Sequence, residues 1–92
     1  MPQTYEVGDS VRLEVEFRDS AGALADPTAV QVKVEDPAGV ETTYTDETKD
    51  AVGLYHKDIS ATLPGTWQYR WEGSGALVAI SEGFFYVKRS AF

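Results

Sequence analysis

The stretch Pro64-Gly65-Thr66-Trp67-Gln68-Tyr69-Arg70-Trp71 restricts the fold of this chain more than any other. A Pro-Gly pair opens it as a turn. Large aromatics then fall at every second position, Trp67, Tyr69 and Trp71, with Thr66, Gln68 and Arg70 between them. A period of two belongs to a strand with one dry and one wet face; a helix would repeat its apolar positions at three and four. Both tryptophans of the chain lie here, and side chains of this size bury about 150–250 Å² each. The strand is expected to hold the densest part of a hydrophobic core.

The same alternation recurs elsewhere. Val11, Leu13, Val15 and Phe17 interleave with Arg12, Glu14, Glu16 and Arg18, which predicts a half-buried strand with mixed charge on its wet face. Val30, Val32 and Val34 interleave with Gln31, Lys33 and Glu35, and Val40, Thr42 and Tyr44 follow after Asp36-Pro37-Ala38-Gly39. Pro and Gly stand where a tight turn needs a fixed and a positive φ, so residues 30–44 are read as a hairpin. Gly53 opens another strand, with Tyr55 and Ile59 inward, the Lys57 stem over the core rim, and Leu54, His56 and Asp58 outward. Residues 5–7 form a short opening strand. Residues 45–51 show no period and are expected to be an exposed loop. Glu72-Gly73-Ser74-Gly75 is read as a flexible turn. Residues 76–88 are read as a final strand broken near Ser81-Glu82-Gly83, with Phe85 and Val87 inward and Phe84 and Tyr86 outward; Arg89 to Phe92 are a tail.

Seven to eight short strands, turn signals at intervals of about 8–12 residues and no helical pattern predict an all-β, immunoglobulin-like β-sandwich of antiparallel strands in two sheets. Its expected core is Trp67, Tyr69, Trp71, Tyr55, Leu13, Val15, Phe17 and Val32. The 92 residues make one domain spanning 1–92, near the lower size for autonomous folding. The absence of cysteine rules out disulfides and thiolate metal sites. A formal net charge of -7, from 8 Lys+Arg against 15 Asp+Glu, opposes binding to nucleic acid and to anionic membranes. The N-terminus carries neither the basic nor the apolar region of a signal peptide, and no apolar run approaches the roughly 18 residues of a membrane span.

Candidate chemistry is sparse. His56 is the single histidine; on the wet face of its strand it is expected to be exposed, without the converging ligands of a metal site or a nucleophile setting for hydrolysis. Asp46, Glu47 and Asp50 lack the ligand spacing of a helical calcium loop and are read as solvated. The rings of Trp67, Tyr69 and Trp71 are read as core rather than as a sugar-stacking platform. Neither cofactor nor catalysis is expected. Phe84 and Tyr86 stand out instead. With the register above they lie on the outer face of the last strand, beside Gln68 and Arg70 and with Lys33 one strand further. Exposed aromatics flanked by Arg mark contact surfaces; a slip by one residue would bury them and expose Phe85.

Several segments together carry a resemblance. They are Tyr5-Glu6-Val7-Gly8-Asp9-Ser10-Val11-Arg12-Leu13, Asp26-Pro27-Thr28, Val34-Glu35-Asp36-Pro37-Ala38-Gly39, Gly53-Leu54-Tyr55-His56-Lys57-Asp58-Ile59 and Pro64-Gly65-Thr66-Trp67-Gln68-Tyr69-Arg70-Trp71-Glu72-Gly73. The chain resembles small immunoglobulin-like structural and decoration proteins of tailed bacteriophages and prophages. The resemblance implies a non-catalytic virion component, on the capsid or at the neck or tail, made in the host cytoplasm. Its partners would be other virion proteins or further copies of itself, with an acidic surface that avoids packaged DNA. The Gly-x-Tyr and Pro-Gly-x-Trp strands also resemble bacterial immunoglobulin-like modules, which implies the alternative of a binding module for a cell-surface glycan or protein.

Overall fold

Alternation in the sequence becomes alternation in burial. The computed structural model describes residues 4–89, and among these eight strands form: β1 (Thr4–Glu6), β2 (Ser10–Glu16), β3 (Ala29–Glu35), β4 (Glu41–Tyr44), β5 (Thr48–Ala51), β6 (Leu54–Ser60), β7 (Gly65–Ser74) and β8 (Ala79–Lys88). Along β2 every second side chain is buried, and Phe17 extends the row beyond its end. One sheet has the order β1-β8-β7-β3-β4, the other β2-β6-β5. The inner faces of the two sheets share one core, with Val11, Leu13, Val15, Phe17, Tyr55 and Ile59 from one side meeting Val32, Val34, Trp67, Trp71, Phe85 and Val87 from the other. The architecture is all-β, with the two-sheet core of a sandwich. Full burial of each large aliphatic or aromatic side chain contributes about 1.5–3 kcal/mol, and no polar or charged residue is buried among them.

Aromatic contacts knit each layer from within. Trp67 stacks on Phe85 across the β7–β8 ladder at 5.7 Å, Tyr5 meets Phe85 edge-on at 5.6 Å, and Phe17 meets Tyr55 at 5.7 Å. The turns use the chemistry expected of Asp. One Asp36 carboxylate oxygen accepts the N–H groups of Ala38 and Val40, and Asp19 does the same for Ala21 and Ala23.

Several expectations change. The segment 45–51 contains β5, paired antiparallel with β6. All four of its residues are exposed, so no apolar period marked it. The turn expected at residues 72–75 begins later, because β7 runs through Ser74. Gly73 is there for close approach: a Cβ would stand 2.6 Å from Cγ of Pro27. The last strand starts at Ala79 and is unbroken. Gly83 sits directly opposite Tyr69, whose hydroxyl would be 2.5 Å from an added Cβ. Tyr69 itself, expected in the core, is half-buried and packs against it at the flank, its ring 6.3 Å from Phe85, and burial raises its phenol pKa. The strands are not all antiparallel, since β1 pairs parallel with β8. Of the expected tail only Arg89 lies within the described residues, and the opening strand expected at residues 5–7 is Thr4–Glu6.

Candidate contact surface

The outer face of the five-stranded sheet is fixed by the burial of Trp67, Trp71, Phe85 and Val87 on the opposite side. Strand alternation then turns Phe84 and Tyr86 outward, 53% and 48% exposed. Gln68 lies directly across from Phe84, Thr66 from Tyr86, and Arg70 from Glu82. On the far side of β7, Lys33 pairs with Arg70 and Glu35 with Gln68. The five residues Phe84, Tyr86, Gln68, Arg70 and Lys33 thus occupy one face in the expected order across β8, β7 and β3.

Two residues on this face and one just before it escaped the sequence reading. Ile80, 56% exposed, continues the outward row of β8, and Val78, 76% exposed, precedes it. The expected break at Ser81-Glu82-Gly83 hid this apolar row, although a period of two carried through the break would have found it. The third is Glu72, which gathers the cations of the face. Its Oε1 accepts Gln31 Nε2 at 2.6 Å and lies 3.8 Å from Lys33 Nζ, while Oε2 lies 3.0 Å from Arg70 Nε. Arg70 also reaches Glu82, at 3.9 Å. The face therefore has apolar side chains along β8, interrupted by Glu82, beside a charge cluster in which Arg70 and Lys33 are held by Glu72.

The outer face of the other sheet is built from ion pairs. Arg12 grips Asp58 through two bonds of 2.9 and 3.2 Å, which holds the Asp58 carboxyl below the usual range. His56, expected to be exposed, is half-buried. Thr48 of β5 stands opposite it on the neighbouring strand, and its Nδ1 lies 2.7 Å from Asp50. Lys57, by contrast, lies on the inner side of β6 at the core rim, as expected, with its ammonium 4.9 Å above the Tyr44 ring and 3.1 Å from Asp46, whose carboxyl it lowers. The three acidic residues of this region thus part company: Asp46 serves Lys57, Asp50 serves His56, and Glu47 borders a cleft of about 590 Å³ with Gln31, Tyr55 and Glu72. Burial there pushes the Glu47 carboxyl up. Among the described residues, no three His, Cys or carboxylate side chains converge as a metal site would need.

Protein-family models, curated proteins and solved structures contain no match to this chain.

Proposed function

We propose that the chain is an immunoglobulin-like structural protein of a tailed-phage virion, acting through protein–protein contact and without catalysis. The sheet order supports the fold half of this reading. β2, β6 and β5 correspond to the B, E and D strands of an immunoglobulin sandwich, β3, β7 and β8 to C, F and G, and β4 to C′. The first strand departs from the simplest pattern by joining β8 instead of β2. In this reading the core that antibody domains cross-link with a disulfide is filled by apolar side chains, the fully buried Trp71 among them.

The observation that carries the functional half is the exposed apolar set Ile80, Phe84 and Tyr86 on the outer face of β8, with Val78 just before the strand and Glu82 between them, beside Gln68 and Arg70. A monomer has no packing use for four large apolar side chains turned to water so close together, and such a patch marks an interaction site. On a repeating lattice many weak copies of such a contact add up. The test is mass spectrometry of purified particles from the phage or induced prophage encoding the chain. The protein is expected in the particles at fixed stoichiometry, and its absence overturns the proposal. Phe84→Ser combined with Tyr86→Ser should leave the chain folded, at a cost of about 1–3 kcal/mol, yet remove the protein from particles. Ring-dependent binding on a glycan array would favour the cell-surface module instead.

A further inference from the structure

The flank of β8 that faces away from β7 is only partly paired. β1 pairs with Tyr86, Val87 and Lys88, and among the described residues no strand lies beside Ala79–Phe85 on that flank. The Val7 N–H donates to the Lys88 carbonyl at 3.3 Å, so the backbone groups of Lys88 point to the β1 flank. The β7–β8 register runs without a shift from Gly65 opposite Val87 to Gly73 opposite Ala79. Backbone direction alternates along a strand, which turns the N–H and C=O groups of Phe84, Glu82 and Ile80 to the open flank. These same residues present their side chains on the outer face. Beneath the edge, between the two sheets, a cleft of about 280 Å³ is lined by Tyr5, Leu13, Glu14, Tyr69 and Phe84. A row of donors and acceptors without a strand partner among the described residues, beside exposed apolar side chains, is a template for an added strand.

We propose that the Ile80–Phe84 edge of β8 takes up an extended segment of a partner protein as an additional strand. That segment is basic at the position beside Glu82 and apolar at the positions beside Ile80 and Phe84. Charge selects this occupant. Glu82 is exposed and its nearest cation, Arg70, is 3.9 Å away and already engaged at 3.0 Å by Glu72. Glu14 adds a second carboxylate at the cleft, and Arg12, which also lines it, is held by Asp58 at 2.9 Å. A second copy of this chain fits poorly. Antiparallel pairing of two β8 edges with their backbone groups in register sets Glu82 against Glu82, or shifts it onto Ile80, and both copies carry a net charge of -7.

This inference rests on the outer face being a contact surface and deepens that reading. Its test uses the full chain with the capped peptide Thr-Val-Thr-Lys-Thr-Val-Thr and its counterpart with Glu in place of Lys, followed by amide exchange and titration. Binding of the lysine peptide is expected to slow exchange at Ile80, Glu82 and Phe84. The lysine peptide should bind about fivefold tighter than the glutamate peptide, as expected for an exposed charge pair, and Glu82→Lys should reverse the order. Slow exchange at these three amides in the protein alone would mean an edge already covered, and would overturn the proposal. So would a dimer that protects them. Peptide-induced shifts at Gln68 and Arg70 without protection of the three amides would also overturn strand addition while leaving the contact surface intact.

Discussion

Trp67 and Trp71 share the inner row of β7, yet their indole nitrogens are served differently. Trp67 Nε1 donates to the Leu63 carbonyl at 3.0 Å, whereas Trp71, fully buried, has no hydrogen-bond partner for Nε1 among the described residues. A buried donor left unpaired costs about 1–3 kcal/mol. Trp71→Phe removes that donor together with part of the ring, and the two effects offset to within about 1 kcal/mol. Trp67→Phe has no such offset and loses a bond of about 0.5–1.5 kcal/mol besides its packing, so urea unfolding should rank it as the more costly change. Trp71→Ala should lose about 3–5 kcal/mol. Equal costs for Trp71→Phe and Trp71→Ala would show that the nitrogen is satisfied after all. Asp26 offers a second measurement. It accepts Lys49 Nζ at 2.6 Å, the Gly53 N–H at 2.8 Å and the Tyr55 hydroxyl at 3.1 Å. Lys49 first, then the Gly53 amide, hold its carboxyl below the ordinary value of 3.8. A depressed folded-state pKa contributes stability above the unfolded value and loses it as pH falls through the folded one. Urea midpoints should therefore drop below about pH 3.8. Asp26→Asn should lower the neutral plateau and make the acid fall shallower, the remainder coming from Asp46 and Asp58.

At the scale of elements, turns decide how the strands are delivered. Gly53 sits between β5 and β6 with φ of 74°, and its carbonyl accepts the Phe17 N–H at 2.8 Å. A Cβ there would stand 2.7 Å from the Phe17 carbonyl and 3.0 Å from the Ala25 nitrogen, both backbone atoms that cannot swing away. Gly39, in the β3–β4 turn, has a φ of 87° but open space around it. Gly39→Ala should cost the left-handed conformation alone, about 1–2 kcal/mol, and thermal unfolding should show Gly53→Ala to be clearly worse. These elements also explain what was legible in the sequence. β2, β6 and the first part of β7 were readable because one face is dry and the alternation says so. β5 was not, because its four residues are all exposed and its pairing with β6 depends on backbone groups that have no side-chain signature. The ends of β7 and β8 were misjudged for one shared reason: Gly73 and Gly83 look like turn residues, but the structure uses each to let a ring from a neighbouring element lie against the strand. The outward setting of Phe84 and Tyr86 followed from Phe85 and Val87 facing inward. The apolar row that extends to Ile80 and Val78 did not, because the supposed break stood in its way.

For the whole molecule, sheet order governs how the chain reaches this structure. Hairpin ladders join β3 to β4, β5 to β6 and β7 to β8, but the rest of the framework is distant in sequence. β1 closes on β8, β2 on β6 and β3 on β7. Each of these pairings must close a long loop before any burial rewards it, and an isolated hairpin is marginal in water. A helix-free chain with such pairings folds in milliseconds to seconds, well short of the microsecond rates of helical bundles. Both tryptophans lie where the two sheets meet, so their fluorescence should report closure of the core. Stopped-flow refolding is expected to give one main phase in that time range, with a folding limb steep in urea because closure buries most of the core at once. Phe85→Leu, which loosens the stack with Trp67 and the edge contact with Tyr5, should slow this phase if the β1–β8–β7 junction forms in the transition state, and should speed unfolding alone if it forms later. A microsecond phase carrying the full amplitude would require a nucleus of local contacts, which this strand order does not provide.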